Sequence, residues 1–495
     1  MPPFAIDLHL DEVAVAFQGD RAGSGLAAPL FERLRDPDAV AFRHEVFRDL
    51  EATDLRSGLA EFVARMGAVE AHLTHAAAIA HPLERQRWQL EAARTYAAAV
   101  TAVARVLEDA TPTSRGLGAL RASLHDHVDS EGFTAFVADT SRMLAGLAGV
   151  TYRLRIDESR IVVGRHDGEA DYGAEVLATF ARFRRTAAPA PLQVDAFHIV
   201  DMNMVEVEVL ERVARLHPSV FEELDGYVRA YSAFLDPAVA AFANELPFYL
   251  AWLDLIGPLQ EAGLAFCYPQ VSATDAESRA HGLFDLALAL RRQPPGTDIV
   301  TNDLELSGAE RLLVITGPNQ GGKTAFARAI GQVCHLAAIG VPVPGSAVRL
   351  GLGETVHTLF ARSEDPGDLT GRLEAELTRA RAILDDLRPG CVVILNESFS
   401  STTVDDALAL DRALIGETTQ RGAICVVVTF LGELAADDPS TVSMTSVMDS
   451  LDPTRPTFRF ERRPPDPLAH ARAVADVYGL GYDAVRARIA EATTR

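Results

Sequence analysis

The spacing of apolar residues changes character three times along the chain. Through the first 150 residues it is helical: Phe42 to Leu50 and Val69 to Leu107 mix alanine, arginine and spaced apolar residues, which predicts amphipathic helices. From Thr151 to Ile156 apolar and polar residues alternate, Asp157 to Ser159 can turn, and Arg160 to Val163 follows, which predicts a β-hairpin. Thr186 to Leu192 reads as a loop or linker. From 204 to about 260 the period is helical again. Val220, Leu224, Tyr227, Tyr231 and Leu235 share one face, and Val239, Phe242, Leu246, Leu250, Leu253 and Ile256 continue it, with Pro247 a candidate kink. Helices this long suit a lever or a dimer-contacting arm as well as a core.

Arg291 to Gly296 then breaks the chain with two prolines and a glycine, and the domain boundary is expected there. Beyond it, short apolar runs alternate with helical ones. Arg311 to Ile315, Cys391 to Leu395 and Ala423 to Val428 read as buried strands; Phe326, Ile330, Val333 and Ala337 recur at helical spacing, and Leu377 to Leu387 is a further helix. Strands alternating with helices predict a mainly parallel sheet covered on both faces. The expectation is a multidomain chain. A helical core and lever region spans 1–296, with a small β-hairpin, clamp-like insertion near 151–190, and an α/β domain spans 297–495.

Between the first of these strands and its helix, Gly317-Pro-Asn-Gln-Gly-Gly-Lys-Thr324 fits G-x-x-x-x-G-K-[ST], a phosphate-binding loop. Glycines let the backbone turn its N–H groups inward around phosphate, and the helix N-terminus adds partial positive charge. Lys323 is suited to the β- and γ-phosphates of a nucleoside triphosphate and the Thr324 hydroxyl to Mg²⁺. The chain has 46 lysines and arginines, and Lys323 is the single lysine among them, so the compact ammonium is kept at the place where a guanidinium would be too bulky.

Glu397 ends the Cys391 strand, at the edge where open α/β sheets bind ligands, and is the candidate to orient or activate an attacking water. Asn396 precedes it, where an Asp would normally support the metal; an amide offers oxygen without charge, so weak Mg²⁺ coupling and slow turnover are expected.

Net charge is −23, which argues against a broadly basic nucleic-acid-coating surface. It leaves room for a local arginine patch, and Arg153, Arg155, Arg160 and Arg165 bracket the hairpin as candidate DNA contacts, with Arg182, Arg184 and Arg185 shortly after. Asp157, Glu158, Asp167, Glu169 and Asp171 nearly cancel their charge. His72, His75 and His81 have no carboxylate or cysteine partner at ligand spacing, so a metal is not expected there. The four cysteines are far apart in apolar runs, as buried free thiols are. With no basic-then-apolar leader and no apolar run of about 18 residues, a cytoplasmic protein without a membrane partner is expected.

At this point the residues carry a resemblance. Leu313 to Thr324, with Pro318-Asn319 inside the loop, resembles the ATPase domain of the MutS family of DNA mismatch-repair proteins. Asp298 to Asp303 is similar to the family's segment near the nucleotide base, which adds Asn302 to the candidate ATP contacts Gly317, Pro318, Asn319, Gln320, Gly321, Gly322, Lys323 and Thr324. Gly340-Val-Pro-Val-Pro344, Leu395 to Thr403 and Leu468 to Gly479 resemble further family segments in order, and coverage is good from about 297 to 490. Upstream, Phe47 to Leu50 and Leu246 to Pro269 resemble parts of the family's helical core and lever.

The resemblance implies an ABC-class P-loop ATPase using ATP and Mg²⁺, with Thr324, Asn396 and Glu397 around the metal. It implies a homodimer in which each pocket is completed by the partner, and levers that couple ATP to clamping on DNA. The chain departs from the family pattern in four ways. Room for the amino-terminal mismatch-reading domain is not expected. Asn396 replaces the acid. Phe430 follows Thr429 where the family has histidine. The family's trans-acting Ser-Thr is absent, with Thr370 or Arg372 as substitutes. The expected function is therefore a slowly hydrolysing, DNA-binding ATPase of repair processes that recognises duplex or branched DNA by shape, with repair proteins as further partners. The alternative is a nucleotide-switched protein–protein scaffold on the same fold that has lost DNA binding.

Overall fold

The computed structural model describes residues 2–19, 25–157, 160–168, 202–272, 277–351, 355–361, 371–435, 438–452 and 454–465, with single positions between 475 and 489. The chain forms two compact units, one from residues 1–52, 113–116 and 247–495 and the other from 53–112 and 117–246. The boundary expected at 296 falls inside the first unit, because the chain's first segment and residues 247–296 pack with the sheet that follows them.

That first segment carries α1 (Pro3–Asp7), α2 (Leu10–Gln18) and α3 (Pro37–Asp49). Asp36 caps α3 by accepting from the Asp38 amide at 3.0 Å.

The second unit is helical, as its periodicity predicts. It holds α4 (Thr53–Ala78), α5 (Pro82–Ala110), α6 (Arg115–Asp129, begun in the first unit), α7 (Glu131–Ala148), the hairpin strands β1 (Tyr152–Asp157) and β2 (Arg160–Arg165), α8 (Met204–Leu216) and α9 (Pro218–Ala230). The apolar stripe of α5, from Leu90 through Val100 to Leu107, is buried, as are Leu59, Phe62 and Val69 of α4. Tyr96 is fully buried, and its hydroxyl accepts from the Asp236 amide at 3.1 Å. His72 and His75 lie against Trp88, with ring centroids 5.4 and 4.9 Å apart. Among the described residues no cluster of histidine, cysteine or acid could hold a metal. The expected linker at 186–192 lies outside the described residues.

The helix α10 (Pro237–Glu261) corrects one expectation: by length and composition it could cross a bilayer. Leu246, Phe248, Leu250, Trp252, Ile256 and Leu259 of this helix are buried. Trp252 is fully buried and donates its indole N–H to the Pro342 carbonyl at 3.2 Å.

The rest of the first unit is α/β. Its elements are β3 (Phe266–Cys267), β4 (Gln270–Ser272), β5 (Ser278–Leu283), α11 (Leu286–Arg291), β6 (Asn302–Leu306), β7 (Leu312–Thr316) and α12 (Lys323–Ala338). After them come β8 (Val343–Pro344), β9 (Ala347–Gly351), β10 (Val356–Phe360), α13 (Arg372–Asp386), β11 (Val392–Asn396), α14 (Val404–Gln420), β12 (Ile424–Val428), β13 (Thr441–Met448) and β14 (Pro456–Arg462). Six strands form the main sheet in the order β10-β11-β12-β7-β13-β14, parallel but for β14. Its central strands are apolar throughout because both faces are covered. On one face Val314, Val393, Leu395 and Val427 pack with Ala380 and Ile383 of α13 and Leu414 of α14. On the other lies α12. Gly331 lets that helix in: a Cβ there would fall 2.6 Å from Ile394 Cδ1 and 2.7 Å from Leu8 Cδ2.

Leu8 marks how the first segment is bound to this unit. Gln332 of α12, fully buried, donates to the Leu8 carbonyl at 2.9 Å and to Asp285 at 2.8 Å, and accepts from the Leu286 amide at 2.8 Å. Asp7 accepts from Thr358 at 2.7 Å and from Arg379 at 3.1 Å. Asp7, Asp285 and Gln332, all buried in this seam, thus each have a hydrogen-bond partner of opposite character.

His335, also on α12, has its Nε2 at 2.7 Å from the Leu30 carbonyl. Burial drives its pKa down to about 4, with Arg33 adding to the shift and the Leu30 carbonyl opposing it. Burial and the neighbouring Arg48 and Arg43 do the same to His44, also to about 4. A histidine depressed in the fold binds its proton more readily when unfolded, so stability is full above the ordinary value and is lost as pH falls from about 6.5 toward 4. Each should cost about 2 kcal/mol at pH 5 relative to pH 7.5. Urea unfolding at the two pH values checks this, and His335→Gln should reduce the difference. An unchanged pH difference in that variant would remove His335 from the account.

Candidate functional site

The register of the main sheet builds the site. Ile315 of β7 pairs with Val428 of β12, and Val428 with Asn396 of β11. Three parallel strands therefore end level, and the residues that follow them, Gly317 onward, Thr429-Phe430 and Glu397, leave from one edge. The Glu397 amide donates to the Val428 carbonyl at 2.9 Å, which ties two of these exits together.

The loop 317–322 runs from β7 to the N-terminus of α12. Gly317 has φ 147°, and a Cβ there would lie 2.5 Å from Ser446 Cβ, so neither the backbone nor the space admits a side chain. Gln320 has φ 62°. Lys323 opens the helix with its side chain only 4 % exposed. Its ammonium donates to the carbonyls of Gly317 at 2.9 Å and Pro318 at 3.3 Å, and lies 3.8 Å from Glu397 Oε1. Burial lowers its pKa to about 8, an effect that Glu397 partly offsets. Above the ammonium, 3.6 Å from it, is the ring centroid of Phe430. Phe430 thus meets the lysine as a cation–π face.

Thr324 donates its hydroxyl to Asn396 Oδ1 at 3.1 Å. The threonine hydroxyl and the asparagine carbonyl meet here as hard oxygens of the kind Mg²⁺ takes, and Glu397 is the next residue along the chain. Glu397 is held at φ 51° and Phe399 at φ 54°.

Beside the loop is a cavity of about 150 Å³, lined by Asp298, Ile299, Val300, Asn302, Gly322, Phe326 and Phe458 among others. Asn302 borders it, but its amide is committed to β14: Nδ2 donates to the Phe458 carbonyl at 3.0 Å and Oδ1 accepts from the Phe460 amide at 2.8 Å. Asn302 therefore holds Phe458 at the cavity wall. Phe458 itself has φ 62° and no periodic signal in the sequence points to it.

Two groups of candidates are placed differently from the loop. Arg372 donates to Ser400 at 3.0 Å and lies 3.5 Å from Glu376, so its guanidinium is engaged within its own chain; Thr370 lies outside the described residues. In the hairpin, cross-strand pairing puts Arg153, Arg155 and Arg160 on one face with Asp157. Arg155 sits 3.7 Å from Asp157. Arg165 falls on the other face, with Tyr152, Leu154, Ile156, Ile161 and Val163, and donates to the Leu216 carbonyl at 3.4 Å. Arg182, Arg184 and Arg185 lie outside the described residues.

Residues 313–463 match the family model for MutS domain V. Similar curated proteins include the DNA mismatch repair protein MutS of Granulibacter bethesdensis, 26 % identical over 309 residues that cover 60 % of this chain and 32 % of that protein. They also include the DNA mismatch repair protein MutS of Dinoroseobacter shibae, 30 % identical over 271 residues that cover 51 % of this chain and 29 % of that protein. The chain thus spans about a third of the length of these relatives.

Proposed function

We propose, from membership of the MutS family through residues 313–463, that the chain is a P-loop ATPase that binds ATP, hydrolyses it slowly and closes on DNA as a dimer in repair. The observation that carries the reading is the meeting of Lys323, Thr324, Asn396, Glu397 and Phe430 at the level ends of three parallel strands. The triphosphate would lie along the loop 317–322, with Lys323 exchanging its carbonyl partners for phosphate oxygens. The base would enter the cavity beside Gly322, against Phe458 and the backbone of 299–300. Thr324, Asn396 and Glu397 would hold Mg²⁺, which supplies charge neutralisation across the phosphates. Glu397 would take the proton of the attacking water or orient it. Asn396 brings no charge to the metal and Phe430 no hydrogen bond to the γ-phosphate, so turnover is slow and the bound state dominates.

The three arginines on one hairpin face would contact the DNA backbone, giving affinity that falls with salt. The alternative scaffold reading draws on the net charge of −23 and on Asp157 among those arginines. Steady-state ATP turnover, alone and with linear, mismatched and branched duplexes, separates the two. A rate changed by one DNA supports the clamp and names its substrate. Turnover indifferent to every DNA moves the scaffold ahead.

A further inference from the structure

The backbone around Glu397 is strained in a way that calls for external support. Glu397 and Phe399 both sit in left-handed conformation, at φ 51° and 54°, and neither is glycine. Such geometry persists only where the surroundings over-determine it. Phe399 is buried in the core and the Glu397 amide donates to the Val428 carbonyl, and beyond these contacts two acids hold the segment through serines. Ser398, buried between the two strained residues, donates to Asp411 of α14 at 2.6 Å. Ser401 reaches Glu376 of α13 at 3.5 Å. Arg372 of α13 donates to Ser400 at 3.0 Å and faces Glu376 Oε1. The segment after β11 is thus gripped from two helices.

The acids are an expensive choice for this task. Asp411 is 2 % exposed and Glu376 4 %, and Glu376 Oε1 is buried with no hydrogen-bond partner. Packing alone would favour apolar residues at both positions, since two buried like charges raise each other's cost. Neither acid touches Lys323 or lines the cavity beside Gly322.

We propose that Asp411 and Glu376 are positioning residues that fix the carboxylate of Glu397 at the phosphate end of the site, acting through Ser398 and Ser401. The assignment rests on the reading of Glu397 as the residue that directs the attacking water. An ionised carboxylate accepts the Ser398 hydroxyl more strongly than a protonated one. Burial moves the Asp411 pKa up to about 6, with Glu376 adding to the shift and the Ser398 hydroxyl opposing it. The other titratable group facing Asp411 is Cys425 of β12, whose thiol is pushed up by burial and by Asp411 and stays neutral. Arg372 faces Glu376 across α13. Turnover should therefore rise as pH climbs through about 6 and Asp411 ionises.

The test is ATP turnover of the full chain from pH 5.5 to 8, with binding of a fluorescent ATP analogue, for the wild type, Asp411→Asn, Ser398→Ala and Glu397→Gln. Asp411→Asn should lose about tenfold in kcat above pH 7 and lose the inflection near pH 6, while analogue binding changes by less than about twofold. Ser398→Ala should lose a similar factor, and it alone decides if Asp411→Asn does not fold. Wild-type rate and inflection in Asp411→Asn, or a wild-type rate in Ser398→Ala, beside an inactive Glu397→Gln, overturn the assignment alone. Wild-type turnover in Glu397→Gln overturns the reading of Glu397, and this assignment falls with it.

Discussion

Replacing Lys323 with alanine should abolish ATP binding, weakening it at least about a hundredfold by titration with a fluorescent analogue. The ammonium lies against the loop, 2.9 Å from the Gly317 carbonyl and nearly shut off from water. In that low-dielectric setting a charge-assisted contact to phosphate is worth far more than at a surface. Lys323→Arg should fail almost as badly. The side chain is packed between the loop carbonyls and the Phe430 ring, 3.6 Å away, and a planar fork has no room there. Retained binding in Lys323→Ala would place the nucleotide elsewhere on the molecule.

Glu397→Gln should lower turnover by about a hundredfold to ten-thousandfold while binding stays within a few fold. The amide keeps the shape and the polar contact with Lys323 but cannot take a proton. The contrast between a binding defect at 323 and a rate defect at 397 distinguishes gripping from chemistry. Single-turnover measurement with saturating ATP is the clean form of the experiment. Equal loss of binding in both variants would mean that Glu397 serves mainly to hold Lys323 in place.

The setting of the loop 317–322 was legible because it is local. A wholly apolar run, a glycine-rich turn and a helical repeat follow one another within about 30 residues, and period alone separates them. The same holds for the hairpin, where alternation foretold two strands. What was illegible depends on single contacts between distant residues. Gln332 meets Leu8, and Arg379 meets Asp7, across more than 300 positions, and one polar residue leaves no periodic trace. The reach of Asn302 to β14, which sets Phe458 at the cavity wall, is hidden for the same reason. Arg372, a candidate trans contact only through the resemblance, meets Ser400 and Glu376 in its own chain, contacts that likewise leave no periodic trace. The apolar face of α10 was read from its period, but a search for unbroken apolar runs passes over a helix interrupted by Pro247, Pro258 and polar positions.

The seam between the first 52 residues and α12 has a consequence for biosynthesis. At ribosomal rates of about 5–20 residues per second, α1 and α2 emerge roughly 15 to 60 seconds before α12 exists. For that interval Leu8 lacks Gly331 and Gln332 of α12, whereas Phe17 can meet Phe248 and Trp252 of α10 sooner. The long sequence separation also makes the closing step late and slow. A nascent chain stalled before residue 338 should therefore offer this segment to chaperones and proteases, and release of the full chain should end that exposure.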